Sequence, residues 1–323
     1  MPSDHSTDHD VAIIGMSCIF PQAANLKQFW SNNVNAVDAV VEKPAHRWRN
    51  QKNWSWPPTH EAYLPFSKAG YLTDGVIFDP IRFGVVPNLV KHGDPDQFLM
   101  LECIDHALRD AKIAEDDPIR ESTDVIIGRG GYATMKLIEL GCRAELFEDV
   151  VEILDRKYPD MMKGRRQEVE DYLLSTLTPM PIDNVSTAVS NIAASRPANR
   201  FNLRGAAFVV DGACASSLLA VESGVWRLRT GQSNLVVAAG MFVSMTPTFF
   251  HVFTRLGAVS TNQIIRPFDR RADGLMVGEG GGAIILKRLD DAIRDRDQIY
   301  AVIKGVGSSS DGLGLDVLAP NTQ

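Results

Sequence analysis

The segment AAFVVDGACASSLLAVESGVWRL holds this chain's most suggestive arrangement for covalent chemistry, with Cys214 at its centre. An apolar strand runs to Asp211, Gly212 and Ala213 make a tight turn, and a helix opens at Ala215, Ser216 and Ser217. This order parallels the elbow that presents the nucleophile of serine hydrolases. Small neighbours leave room for a substrate carbonyl beside the sulfur. A helix N-terminus places partial positive charge there, which favours the thiolate, and its N–H groups can hold an oxyanion. The competing reading is an inert cysteine packed in a strand–helix turn. Cys18, Cys103 and Cys142 fit that description better: one follows a strand, one lies in an amphipathic helix and one falls in a charged insertion. None of the four forms a CxxC pair, so neither a zinc site nor a disulfide framework is indicated.

The elements that must position Cys214 read as alternating strands and helices. Strands are predicted at Val11–Ile14, Asp124–Gly128, Ala206–Val210, Leu235–Ala239, Ala283–Lys287 and Ile299–Val306. Asn25 caps a first helix carrying Leu26, Phe29 and Trp30. Asp94 and Pro95 open a second, with Phe98, Leu101, Ile104 and Leu108 on one face. The nucleophile helix runs from about Ala215 to Arg229, with Gly231 as its stop, and a short charged helix follows near Leu289–Arg296. Residues 44–66, with three tryptophans and four prolines, read as an irregular packed loop. Residues 132–180 are charged and helix-patterned and read as a surface insertion, an amphipathic cover for the core. Largely apolar strands alternating with helices indicate an α/β layered fold.

Composition narrows the function classes. The chain has 323 residues, 45% of them apolar, which suffices for a substantial core and about two domain-sized units. A net charge of -7 with no basic block argues against nucleic acid as partner. Residues 1–10 form a polar tail without the basic and apolar regions of a signal peptide. The longest apolar stretch, 235–245, is too short for a bilayer span and is broken by Gly240 and Ser244. A soluble, cytoplasmic protein without membrane contact is expected.

DGACASSLLAVE resembles the active-site segment of β-ketoacyl synthases, more narrowly the ketosynthase domains of multifunctional polyketide and polyunsaturated-fatty-acid synthases. Three further segments agree in order and spacing: DVAIIGMSCIFPQAANLKQFW, DPDQFLMLECIDHALRDAKI and the long run from Ile264 through GEGGGAIILKR to Gly312. The resemblance spans about Val11 to Gln323. Gly212 and Ala215 stand where the family often has Thr or Ala, and Ser; both are small-for-small changes. The presence of Cys214 separates the chain from related chain-length factors, where the cysteine is replaced.

The resemblance implies a thiolase-like layered α/β fold, present as its N-terminal half plus the start of its C-terminal half. It divides the chain into a tail over 1–10, a ketosynthase N-terminal domain over 11–290 containing the 132–180 insertion, and the beginning of a C-terminal domain over 291–323. It implies that Cys214 takes an acyl group from a carrier protein and that a malonyl-type extender then condenses with it by decarboxylation. No metal or directly bound cofactor is implied; the phosphopantetheine arm belongs to the acyl carrier protein. A homodimer is implied, paired through the strand near Ala206–Val210. In the family, two histidines and a lysine downstream of the cysteine support decarboxylation. Only His251 follows Cys214, in the apolar run PTFFHVF, and the sequence stops at APNTQ before those motifs. The expectation is a chain that holds the thiol but lacks the condensing machinery, and that needs the missing C-terminal half.

Two other readings stand beside this one. Gly128–Ala133 and Gly278–Ala283 both fit GxGxxA, and the first follows a strand with Glu148 and Asp149 downstream, as in a nicotinamide-dependent oxidoreductase. The second runs into a strand, which fails that context. The third reading is a non-catalytic, dimerising half-fold with an exposed apolar face. Glu279, Asp269 and Asp273 are read as structural or loop-bonding groups. Arg266, Arg270 and Arg271 read either as a meeting point for an acidic carrier or as a solvated basic surface.

Overall fold

The computed structural model describes residues 10–45, 47–48, 63–64, 67–72, 78–130, 134–177, 181 and 185–313. Its centre is a six-stranded mixed sheet: β1 (Val11–Ile19), β2 (Thr123–Gly128), β3 (Ala207–Val210), β4 (Leu235–Phe242), β5 (Gly280–Arg288) and β6 (Ala301–Ile303), in the order β3-β2-β4-β5-β1-β6. The trio β3-β2-β4 is parallel; the pairs β4–β5, β5–β1 and β1–β6 are antiparallel. Every residue of β2 is buried, as its apolar run Val125–Ile127 suits in a strand covered on both faces.

The helices are α1 (Leu26–Val34), α2 (Pro87–His92), α3 (Pro95–Asp110), α4 (Met135–Gly141), α5 (Phe147–Lys157), α6 (Pro159–Met162), α7 (Arg166–Ser175), α8 (Ile192–Arg200), α9 (Ser216–Arg229), α10 (Pro247–Arg255) and α11 (Leu289–Asp295). Strand alternation splits the core in two. Val125, Ile127, Leu235, Val237 and Ile285 face Met100, Cys103, Ile104 and Ala107 of α3 and Ala194 of α8. Ile126, Val236, Ala238 and Leu286 face Ala220, Val225 and Leu228 of α9.

Asn25 caps α1 through Oδ1, which accepts the Gln28 N–H at 3.0 Å, as its residue type predicts. Asp94 sits at the N-cap of α3 but caps nothing; its Oδ1 accepts instead from the Lys136 N–H, at 3.1 Å. β4 and β5 are longer than predicted because Gly240 and Met241 pair with Gly282 and Gly281. Glycine is depleted from strands, so its presence hid these extensions. β5 and β6, which lie on either side of residue 290, both flank β1 in the sheet.

Residues 134–177 are helical, with a π-helical turn at Cys142–Leu146 between α4 and α5. α5 packs on α6 and α7, and Val151 and Met162 are the buried apolar side chains of that group. Arg166 of α7 ties it together through Glu148, Asp155 and Glu170. The apolar stripe of α5 is thus occupied within the insertion. The predicted loop at 44–66 lies mostly outside the described residues.

Candidate active site

β3 carries the chain to Asp211 and α9 begins five residues later, at Ser216. Between them, Ala213–Ala215 form one turn of 3-10 helix. The left-handed residue of the turn is Ala213, at φ 52°, whereas Gly212 sits at φ -134°. A non-glycine residue there is strained and must be held by its surroundings. Three contacts hold it. Asp211 Oδ1 accepts the Ala213 N–H at 3.0 Å. The Ser216 hydroxyl accepts the Gly212 N–H at 3.0 Å and donates to the Ala213 carbonyl at 2.7 Å. Ser216 is therefore a clasp across the turn that presents Cys214, a role that its type alone did not reveal.

The seat of α9 on the sheet is made by two glycines. Gly128 and Gly240 lie side by side in the β2–β4 register. A Cβ on Gly128 would stand 2.3 Å from the Ser216 backbone, and one on Gly240 would stand 2.8 Å from the Ser217 side chain. The helix can start this close to the strands only because both positions lack side chains. Gly128, which opened the first GxGxxA pattern, is accounted for by this contact. Gly131–Ala133 of that pattern lie outside the described residues, and Gly280–Ala283 of the second lie in β5.

Cys214 is exposed. It borders a cavity of about 540 Å³ whose floor is the ends of β2, β4 and β5. Its apolar wall includes Phe20, Leu218, Met241, Phe242, Phe249 and Phe253, and Asp96, Arg129 and Ser244 are among its polar members. The other cysteines differ sharply. Cys103 is buried on the sheet-facing side of α3, and burial pushes its thiol up to about 12. Cys18 borders the same cavity as Cys214 but is buried, which pushes its thiol up to about 11. Cys142 is half-buried in the insertion.

A buried charged node adjoins the cavity. Arg129 Nε donates to Asp96 Oδ2 at 2.7 Å, and Asp94 Oδ2 stands 3.9 Å from Arg129 Nη2. Asp94 also receives the Lys136 N–H, and its own N–H donates to Thr187 Oγ1 at 3.1 Å. Asp94 thereby ties α3 to the start of the helical insertion and to the 3-10 turn Ser186–Ala188 that follows it. Burial, with Asp96 alongside, pushes its carboxyl up to about 6. Sequence reading missed this node, because its members come from four separate segments.

The remaining candidates have structural partners. Glu279 is buried; its Oε2 accepts from Arg47 at 2.7 Å and from the Leu72 N–H at 2.8 Å, and burial raises its carboxyl. Asp273 accepts from Ser260, Thr261 and Asn262, bonds that hold it well below the usual carboxylate range. Asp269 pairs with Arg271 at 2.7 Å, Arg266 lies 3.7 Å from Asp273, and Arg270 is exposed. His251 is half-buried on α10; among the described residues no histidine or lysine borders the cavity. No cluster of three metal-ligating residues occurs among the described residues, and no described helix is long and apolar enough to cross a membrane.

Residues 8–292 match the family model for the beta-ketoacyl synthase N-terminal domain. The chain belongs to the β-ketoacyl synthase family. Curated relatives include a component of the phenolphthiocerol/phthiocerol polyketide synthase of Mycobacterium tuberculosis, 29% identical over 96% of this chain and 15% of the relative. The 6-methylsalicylic acid synthase of Penicillium terrestre is 32% identical over 99% of this chain and 16% of the relative. Among solved structures, the ketosynthase from module 6 of the bacillaene synthase of Bacillus subtilis 168 superposes with a TM-score of 0.73 at 26% identity, covering 96% of this chain and 46% of that one. The oxazolomycin ketosynthase domain from Streptomyces albus JA3453 gives 0.76 at 26% identity, covering 95% and 47%. The thiolase-like layered α/β fold read from the sequence is the fold of these ketosynthases. The chain spans about 15% of the length of the first curated relatives and under half of these solved ketosynthase chains.

Proposed function

We propose that this ketosynthase-family chain supplies the acyl-accepting thiol of a β-ketoacyl-[acyl carrier protein] synthase in polyketide or fatty-acid biosynthesis. The observation that carries the proposal is the exposed Cys214, set on a clasped turn at the N-terminus of a 14-residue helix and bordering a largely apolar cavity. The Cys214 sulfur attacks the carbonyl of a carrier-bound acyl thioester. The tetrahedral intermediate places its oxyanion near the helix terminus, whose backbone N–H groups favour negative charge. Collapse expels the phosphopantetheine thiol, which takes up a proton, and leaves the acyl group on Cys214. The chain binds no cofactor itself in this scheme; the pantetheine arm arrives on the carrier partner.

Condensation asks for more. Loss of carbon dioxide from a malonyl-type extender develops negative charge at the thioester oxygen, and a cationic or hydrogen-bonding group must meet it. No histidine or lysine among the described residues borders the cavity. We assign that part of the reaction to a C-terminal half packed against this one. The outward face of α9 supports the assignment, since Leu218 and Trp226 are 73% and 52% exposed where a layered fold would add its next layer. The edge strand β3 has no partner on its outer side among the described residues, which suits pairing with a second copy. A cytoplasmic site of action fits this chemistry.

The test is intact-mass spectrometry after incubation with an acyl N-acetylcysteamine thioester. A single acyl adduct on Cys214, absent in Cys214→Ala, is expected. A folded wild-type sample that gains no adduct at Cys214 would overturn the proposal.

A further inference from the structure

Ser244 lies two residues beyond the end of β4 and borders the same cavity as Cys214. Only 2% of it is exposed, yet its hydroxyl has no hydrogen-bond partner among the described residues. Buried hydroxyls are nearly always bonded, and one left unmade at a cavity wall is poised for something that enters the cavity. A second buried group points the same way. Arg129 also borders the cavity, and its Nη2 has no hydrogen-bond partner either. The register Gly128↔Gly240 brings Arg129 and Ser244 off the same edge of the sheet, one and four residues beyond that glycine pair.

The surroundings define what such a ligand would be. Phe242, Phe249 and Phe253 suit a hydrocarbon chain. Asp94 and Asp96 already outnumber Arg129, so a carboxylate on that chain would meet net negative charge. A neutral oxygen would not. We propose that Ser244 determines substrate specificity by hydrogen-bonding a hydroxyl or keto oxygen carried along the acyl chain on Cys214. The inference rests on the reading of Cys214 as the acyl acceptor, and it names the class of acyl group: one oxygenated beyond its thioester.

The experiment uses alkylating probes, so that recognition is read apart from acyl transfer. N-hexyl chloroacetamide is compared with a series bearing a hydroxyl at successive carbons of the hexyl chain. In each, the Cys214 sulfur displaces chloride to form a thioether, followed by intact-mass spectrometry. With the wild type, one position in the series is expected to react roughly 3- to 10-fold faster than the parent, the scale of one net hydrogen bond. In Ser244→Ala that ratio should fall to about 1. A ratio equal in both proteins, a ratio near 1 at every position, or no alkylation of Cys214 by any probe overturns the proposal.

A second arm guards against misfolding. Removing an unbonded buried hydroxyl should leave the melting temperature unchanged or raise it. A clear drop would mean that the hydroxyl already has a partner within the fold, which also overturns the proposal. Failure of thioester labelling with the chloroacetamide preference intact would sink the acyl-acceptor reading alone; the reverse would sink only the role of Ser244.

Discussion

On one face of the sheet, α3 and α8 close over Val125, Ile127 and Val237, and Cys103 of α3 is sealed between that helix and the strands. On the other, α9 packs by Ala220, Val225 and Leu228, but its first turn leaves Cys214 exposed above the strand ends. Both cysteines belong to helix-and-strand packing of the same kind. The difference lies in where each cysteine sits relative to its helix. Cys103 is in the middle of α3, facing the sheet, whereas Cys214 precedes α9, in the strained turn at the strand ends beside the seat made by Gly128 and Gly240. Exposure of Cys214 follows from a gap that backbone geometry keeps open.

The comparison can be broken most directly at the cysteines. Cys214→Ala is expected to abolish labelling by acyl thioesters with the fold retained by circular dichroism. Cys103→Ala should leave labelling intact and cost about 1 kcal/mol in urea unfolding, because it removes only a small buried group. Loss of labelling in the second variant would mean that the two faces are not independent.

Next in size is the seat of α9. Gly128→Val would force a side chain into space 2.3 Å from the Ser216 backbone. A loss of about 3 kcal/mol in denaturant stability is expected, at the upper end for overpacking, together with slower labelling of Cys214. An unchanged unfolding midpoint would show that α9 can lift away from the strands.

The α3 end of the closed face is expected to respond to pH. Burial and the neighbouring Asp96 hold the Asp94 carboxyl at about 6, opposed by Arg129 and the Lys136 N–H. A carboxyl raised on folding stabilises the native state at pH values below its unfolded value, roughly 3.9, and that contribution is lost as pH rises through 6. Moving from pH 7.5 to pH 5 should therefore strengthen this node, by roughly 2 kcal/mol at most. Amide hydrogen exchange at Lys136, corrected for intrinsic rate, reads it. In Asp94→Asn the pH dependence should vanish.

The smallest effect is predicted at the clasp. Ser216→Ala deletes both hydrogen bonds across the turn and should cost about 1–2 kcal/mol. Cys214 labelling should slow several-fold, because Ala213 is then free to relax its positive φ. Equal labelling rates would move the source of the turn's shape from Ser216 to Asp211.

Legibility from sequence followed the same divide. Apolar runs announced β2 and β4, and Asn25 and Pro95 marked helix starts, because period and capping are local properties. The Cys214 turn was legible as strand, small residues, helix. Its mechanics were not: the strain sits on Ala213 rather than Gly212, and the bonds of Ser216 depend on the fold of that turn. Gly280–Gly282 hid the start of β5, since glycine says nothing of pairing. The packing of α5 against α6 and α7 was equally hidden; an apolar stripe shows that a helix will be covered, not by what. Asp94, Asp96, Arg129 and Thr187 meet only in three dimensions.

The place of β1 in the sheet also bears on how the molecule comes into being. Its neighbours, β5 and β6, are encoded roughly 260 to 290 residues later. On a ribosome adding about 5–20 residues per second, Val11–Ile19 would wait roughly a quarter of a minute to a minute for a strand to pair with. In that interval an apolar segment stands with unpaired backbone edges, a natural target for holding chaperones. Synthesis and refolding from denaturant should therefore differ, and β5 and β6, by enclosing β1, set the moment at which its two edges are paired.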